Sequence, residues 1–137
     1  MPFYNINEMQ PKPDVVNPAI KLKSVAGELI KIGIVTYQLG EGPPPHFHPN
    51  EEQFILMLEG KMNMVLGDET KVIGPGDLVH IPRNTMHGIK VVAGPAVFFA
   101  CKSPVGTGEL SQDYNRAPNA DELATRLNRV PELGCTG

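Results

Sequence analysis

Residues 40–60 read Gly-Glu-Gly-Pro-Pro-Pro-His-Phe-His-Pro-Asn-Glu-Glu-Gln-Phe-Ile-Leu-Met-Leu-Glu-Gly. The Gly and Pro cluster stops whatever precedes it. His46 and His48 then stand two apart on an extended segment, which turns both rings to the same side. From Gln53 to Leu58 the chain is apolar on both parities, the pattern of a strand buried on both faces. Glu59-Gly60 reads as a turn.

Working outward, Glu28 to Leu39 is rich in Ile, Val, Thr and Tyr and alternates through Ile30, Ile32, Ile34 and Thr36. Lys61 to Leu66 alternates again, with Met62, Met64 and Leu66 on one side. Gly67-Asp68-Glu69 is a tight turn. Thr70 to Ile73, Leu78 to Ile81, Gly88 to Val92 and Ala96 to Cys101 continue a run of short strands broken by Gly and Pro. Ahead of them, residues 1–19 carry four prolines and read as an extended arm. Behind them, Asn119 is positioned as the N-cap of a helix over 120–130, with Glu122 completing a capping box and Leu123, Leu127 and Val130 on one face. Pro131 stops it. The fold class expected is all-β: about eight or more short antiparallel strands closed into a single barrel over residues 20–103, with a C-terminal segment over 104–137 that holds one helix.

The chain has 137 residues, 41% hydrophobic and 20% charged, with a net charge of -3. One core fits that length and two do not. The mildly negative charge gives no footing for nucleic acid. No apolar stretch approaches the roughly 20 residues of a membrane span, and the first residues show no secretory pattern. Two cysteines, Cys101 and Cys135, lack metal-ligand spacing, so a reduced, cytoplasmic protein is expected.

The only histidines are His46, His48, His80 and His87. His-x-His can be a polar surface loop. It can also be half of a metal site, which His87, arriving from a separate strand, would complete. His80 is read either as a proton shuttle at the barrel mouth or as a polar residue of the outer face. Tyr37 and Glu52 are the other candidates for acid–base chemistry. Met57, Met62, Met64 and Met86 are expected to pack the interior or line a pocket.

Gly40 to Gly60 resembles the first motif of the cupin superfamily: Gly, five residues, His-x-His, then an acidic residue and a Gly. Gly76 to Pro82 resembles the start of the second cupin motif and registers His87 as its histidine. The resemblance implies a small single-domain, RmlC-like cupin, a jelly-roll-like barrel. It also implies one divalent ion (Zn, Mn, Fe, Ni or Co) held by His46, His48, His87 and a fourth residue. Three positions depart from the pattern. Asn84 stands for Gly and can take a left-handed turn. Val91 stands for Asn, at a position that does not carry metal. Gln53 stands for Glu, with Glu52 beside it as the alternative ligand. Adjacent strand residues face opposite sides, so only one of the two can reach the metal; six-residue spacing to Gly60 favours Gln53.

Three neutral imidazoles and an amide would leave the site near +2. That favours Lewis-acid chemistry on a small oxygenated metabolite, by an isomerase, lyase or hydrolase; the resemblance to small sugar-acid-processing and polyketide-cyclising cupins implies a substrate of sugar-acid or polyketide-like type. An Fe-dependent dioxygenase and a non-catalytic binding cupin are the alternatives. A homodimer is expected, because Phe54, Leu56 and Leu58 need cover.

Overall fold

A computed structural model describes residues 3–14, 20–130 and 134–135. After a short 3-10 turn at Ile6–Glu8 come β1 (Lys12–Pro13), β2 (Lys21–Ala26), β3 (Lys31–Tyr37), β4 (His46–Phe47), β5 (Glu52–Leu66), β6 (Glu69–Ile73), β7 (Leu78–Ile81), β8 (His87–Ser103), β9 (Asn115–Arg116), α1 (Ala120–Leu127) and β10 (Gly134–Cys135). The strands form one curled sheet, ordered β1-β2-β3-β8-β4-β9, with β5 pairing β6, β7 and β8 and with β10 on β8. Apart from the β10–β8 pair, which is parallel, the ladders are antiparallel. The chain is all-β with a jelly-roll-like sheet and one short C-terminal helix.

The long central strands differ from the sequence expectation. Glu59-Gly60 is not a turn. β5 runs through it for 15 residues, and its register on β8 shifts between Met57 and Met62. Gly60 takes a left-handed φ of 74°, which makes this a bulge that re-aims the strand without ending it. Likewise Gly88–Val92 and Ala96–Cys101 belong to one 17-residue strand, β8. Pro95 falls in the stretch that the β5 ladder skips, between the Lys61–Ala93 and Glu59–Val97 pairs, so that ladder does not need its missing N–H. Periodicity breaks in the same way at a bulge and at a turn.

β3 is shorter than the Glu28–Leu39 segment. Its inward parity is Lys31, Gly33, Val35 and Tyr37, while Ile32 and Ile34 are only half-buried. β5 is buried on one face before its bulge: Gln53, Ile55 and Met57 point in, while Phe54 and Leu58 are exposed. The core gathers Ile55, Met57, Met62, Met64, Ile73, Ile81, Val91 and Phe98, so the three core methionines are interior packing. Met86 instead packs against the second cluster, at the helix.

Helix α1 is shorter than the 120–130 expected. Asn119 makes no side-chain cap, because its φ of −103° and ψ of 32° leave the extended conformation from which a cap reaches forward. Ala120, Leu123 and Leu127 are buried against Val65 and Ala117; Val130 is half-buried. The helix end is tied down by Asn63 of β5, whose amide donates to the Leu127 carbonyl at 2.8 Å. The proposed stop at Pro131, like Pro2 and Pro18 of the arm, lies outside the described residues. Where the arm is described, β1 pairs with β2. Among the described residues no helix is long and apolar enough to cross a membrane.

Candidate metal centre

His46 comes from β4, His48 follows it, and His87 opens β8. His46 and His87 are direct register partners across the β4–β8 pair. Their ring centroids lie 4.3 Å apart, and the His48 ring is 4.9 Å from His46 and 5.1 Å from His87. One nitrogen of each ring falls within 4.8 Å of the others.

Each ring is also held from behind. His46 Nδ1 lies 2.8 Å from the Pro44 carbonyl, His48 Nδ1 3.0 Å from that of Asp113, and His87 Nδ1 2.9 Å from that of Thr85. A carbonyl only accepts, so every Nδ1 carries the proton and every Nε2 presents a lone pair. His48 Nε2 is buried and has no hydrogen-bond partner among the described residues. Burial holds the pKa of His46 down to about 2, of His48 to about 3 and of His87 to about 4. Three neutral imidazoles with their lone pairs converging fit a divalent ion, and backbone carbonyls that fix the tautomer are the usual outer support for such a site.

Gln53 and Glu52 part as strand alternation demands. Gln53 is buried and lines the cavity in front of the histidines. Glu52 lies outside, half-exposed, paired with His80 at 2.9 Å. His80 itself stacks on Phe54, ring centroids 4.5 Å apart, on the outer face of the sheet. The structure therefore places His80 and Glu52 away from the histidine cluster. Tyr37 does line the cavity, against Phe98. Burial first, then Asp14, raises its pKa well above the usual tyrosine value, so it is suited to donating a hydrogen bond and not to accepting a proton.

Several site residues carried no signal in the sequence. The segment after β8 folds back over the mouth of the barrel. Leu110 packs where a Cβ on Gly33 would sit. Tyr114 stacks on His46 with centroids 4.5 Å apart. Asp113 holds a left-handed φ of 68°, and its carboxylate accepts from the Asn50 backbone N–H at 2.7 Å and from the Asn50 amide at 2.9 Å. That clamp aims the Asp113 carbonyl at His48. Beneath it lies a buried charge cluster. Lys31 Nζ donates to Glu51 Oε2 at 2.7 Å and to the Glu109 carbonyl at 2.7 Å. Lys102 Nζ donates to the Leu110 carbonyl at 2.7 Å and stands 3.8 Å from Glu51 Oε1. Burial pushes the Lys102 pKa down to about 8, against the raising effect of Glu51. The cavity encloses about 350 Å³ and is walled by Val35, Ile55, Ile89, Phe98 and Leu110, with the histidines, Gln53 and Lys102 among its polar groups.

The sequence and the fold are similar to those of known proteins. The chain is 31% identical over 65 residues to quercetin 2,3-dioxygenase of Bacillus subtilis (strain 168); the match spans 47% of this chain and 19% of that enzyme. Among solved structures, KdgF from Halomonas sp. is similar with a TM-score of 0.69 and 27% identity, covering 76% of this chain and 94% of that one. The polyketide cyclase RemF from Streptomyces resistomycificus shares the fold at a TM-score of 0.64 and 24% identity, covering 76% and 79%. The cupin domain family matches residues 33–101. With the curled sheet and the histidine cluster in place, the chain belongs to the cupin family.

Proposed function

We propose that this cupin is a metal-dependent enzyme acting on a small oxygenated metabolite, with His46, His48, His87 and Gln53 as the residues that hold one divalent ion. The observation that carries the reading is the donor set: three imidazoles fixed as neutral Nε2 donors, with the Gln53 amide on the inward parity of β5, while the buried Glu51 carboxylate, also within ligand range of His48, is ion-paired to Lys31. Bound there, a divalent ion supplies Lewis acidity that polarises a carbonyl or hydroxyl, suited to isomerase, lyase or hydrolase chemistry. The chain's own residues do the rest. The apolar wall excludes water, Tyr37 holds a proton at its hydroxyl, and Lys102 brings a cation to the same cavity. Zn, Mn, Fe, Ni and Co all suit a nitrogen-rich site of this kind.

The similarity to quercetin 2,3-dioxygenase supports a second reading, an Fe-dependent dioxygenase. Elemental analysis of protein purified without added metal, followed by oxygen-electrode assays, separates the two. Zn or another non-iron ion with no oxygen uptake supports the first. Iron with substrate-dependent oxygen uptake replaces it with the second. We also read the chain as a homodimer, since Phe54, Leu58 and Leu78 leave an apolar strip on the outer face of β5 and β7.

A further inference from the structure

We propose that the cavity binds a small organic acid with an apolar body, and that Lys102 holds the acid's anionic oxygen beside the histidine cluster. The inference rests on the cavity being the ligand site of the proposed metal centre, and it adds the chemical class of the ligand. Lys102 and Gln53 are register partners across the β5–β8 ladder. Antiparallel partners share a face, so the ammonium and the amide enter the cavity side by side.

The donor accounting then points to an anion. An ammonium has three N–H groups. One goes to the Leu110 carbonyl, and Glu51 Oε1 at 3.8 Å is within ion-pair range but too far for a hydrogen bond. Among the described residues no other acceptor of Lys102 lies within hydrogen-bond distance. Glu51 gives its close contact to Lys31, so one carboxylate serves two buried cations. Asp14, the carboxylate that lines the cavity, accepts from the Ser111 hydroxyl and attracts Lys102 less than Glu51 does. The imidazoles add no negative charge. A buried cation with unspent donors is costly until an acceptor arrives, and an anionic oxygen is the strongest one.

The body of the ligand follows from the wall. Ile20, Leu22, Val35, Ile55, Ile89 and Phe98 offer no hydrogen bonds and outweigh the polar Tyr37, Ser111 and Tyr114 of the same lining. A polyhydroxylated chain would leave hydroxyls unpaired against them, whereas an aromatic or alkyl body buries there without that cost. A volume of about 350 Å³ suits one small molecule.

The test is calorimetry on the full chain, stripped with a chelator and held at pH 7, titrated with trans-cinnamate and with neutral cinnamamide of the same shape. Cinnamate should bind about tenfold more tightly than cinnamamide, the worth of one charge-assisted contact. Lys102→Gln should erase that preference and leave cinnamamide binding within about twofold, and Lys102→Arg should retain it. Equal binding of the two probes by the wild-type chain, no binding of either, or a preference that survives Lys102→Gln overturns the proposal. The wild-type comparison needs no variant to fold. Titrating the same proteins with Zn(II) keeps the two readings apart: a chain that prefers cinnamate but takes up no metal overturns the metal centre and supports the acid site.

Discussion

Single residues decide whether this cavity holds a metal, and single substitutions test it. His46→Ala, His48→Ala and His87→Ala should each lower bound metal sharply, since each removes one of three converging lone pairs. His80→Ala and Glu52→Gln should leave metal content near wild type, because both side chains lie outside the barrel. Gln53→Glu should keep the metal and shift any pH–rate profile upward through the added negative charge, whereas Gln53→Ala should weaken binding. Parallel metal titrations check the series; a strong loss in Glu52→Gln with none in Gln53→Ala would reverse the assignment. Asp113 offers a subtler case. Asp113→Ala frees the carbonyl that orients His48 and should cost metal affinity about tenfold, the low end for outer-shell partners, while Asp113→Asn keeps part of the Asn50 clamp and should cost less. Equal affinity in Asp113→Ala and wild type would contradict this. His46 and His48 are legible in the sequence because extended spacing fixes their side, His87 is legible through the resemblance to the second cupin motif, and Asn84 takes the left-handed φ, 63°, that its place in the turn requires. Asp113, Glu51 and Lys102 were not legible. Their roles arise from contacts across dozens of residues, and no local periodicity records where a returning loop lands.

At the scale of elements, the sequence told strands from turns wherever polar and apolar residues alternated cleanly, and it failed at the bulge. β6, β7 and the Gly67-Asp68 turn follow directly from their patterns. The pattern breaks at Gly60 as at a strand end, yet backbone pairing on β8, invisible in one strand's own residues, carries β5 through it. The bulge makes its own prediction. A Cβ at Gly60 would lie 2.4 Å from the Pro95 carbonyl oxygen and 2.7 Å from that of Ala93, both backbone atoms that cannot swing away. With the left-handed φ added, Gly60→Ala should destabilise the chain by about 2–4 kcal/mol in urea unfolding. A loss below about 0.5 kcal/mol, the scale of an ordinary surface change, would mean that the bulge is not formed as described.

Over the whole molecule, the buried histidines should set the acid limit of the metal-free protein. Their folded pKa values, about 2, 3 and 4, lie below the ordinary value of 6.5. Above pH 6.5 the folded and unfolded chains are both neutral at these groups and no stability depends on them. As pH falls below 6.5 the unfolded chain takes up protons first, so stability drops toward pH 4, by up to about 1.4 kcal/mol per histidine per pH unit. Urea midpoints of chelator-treated protein at pH 7.5, 6 and 5 should fall steadily; a flat series would show that the rings are not buried neutral. Association is the second expectation at this scale. Phe54, Leu58 and Leu78 leave an apolar strip that a second copy can cover, so light scattering should report twice the 14.9 kDa of one chain, and Leu78→Lys should shift it toward the monomer. A monomeric mass across micromolar concentrations would rule that out. The seventeen residues of β8 have a contour of roughly 56 Å. Yet His87 at its first position and Lys102 near its last wall one cavity of about 350 Å³. The strand must curl around the barrel like a hoop, so that side chains near both its ends face one space. The reactive groups are thus spaced by circumference, and the gauge of the site is written in how many residues separate its ends rather than in any side chain between them.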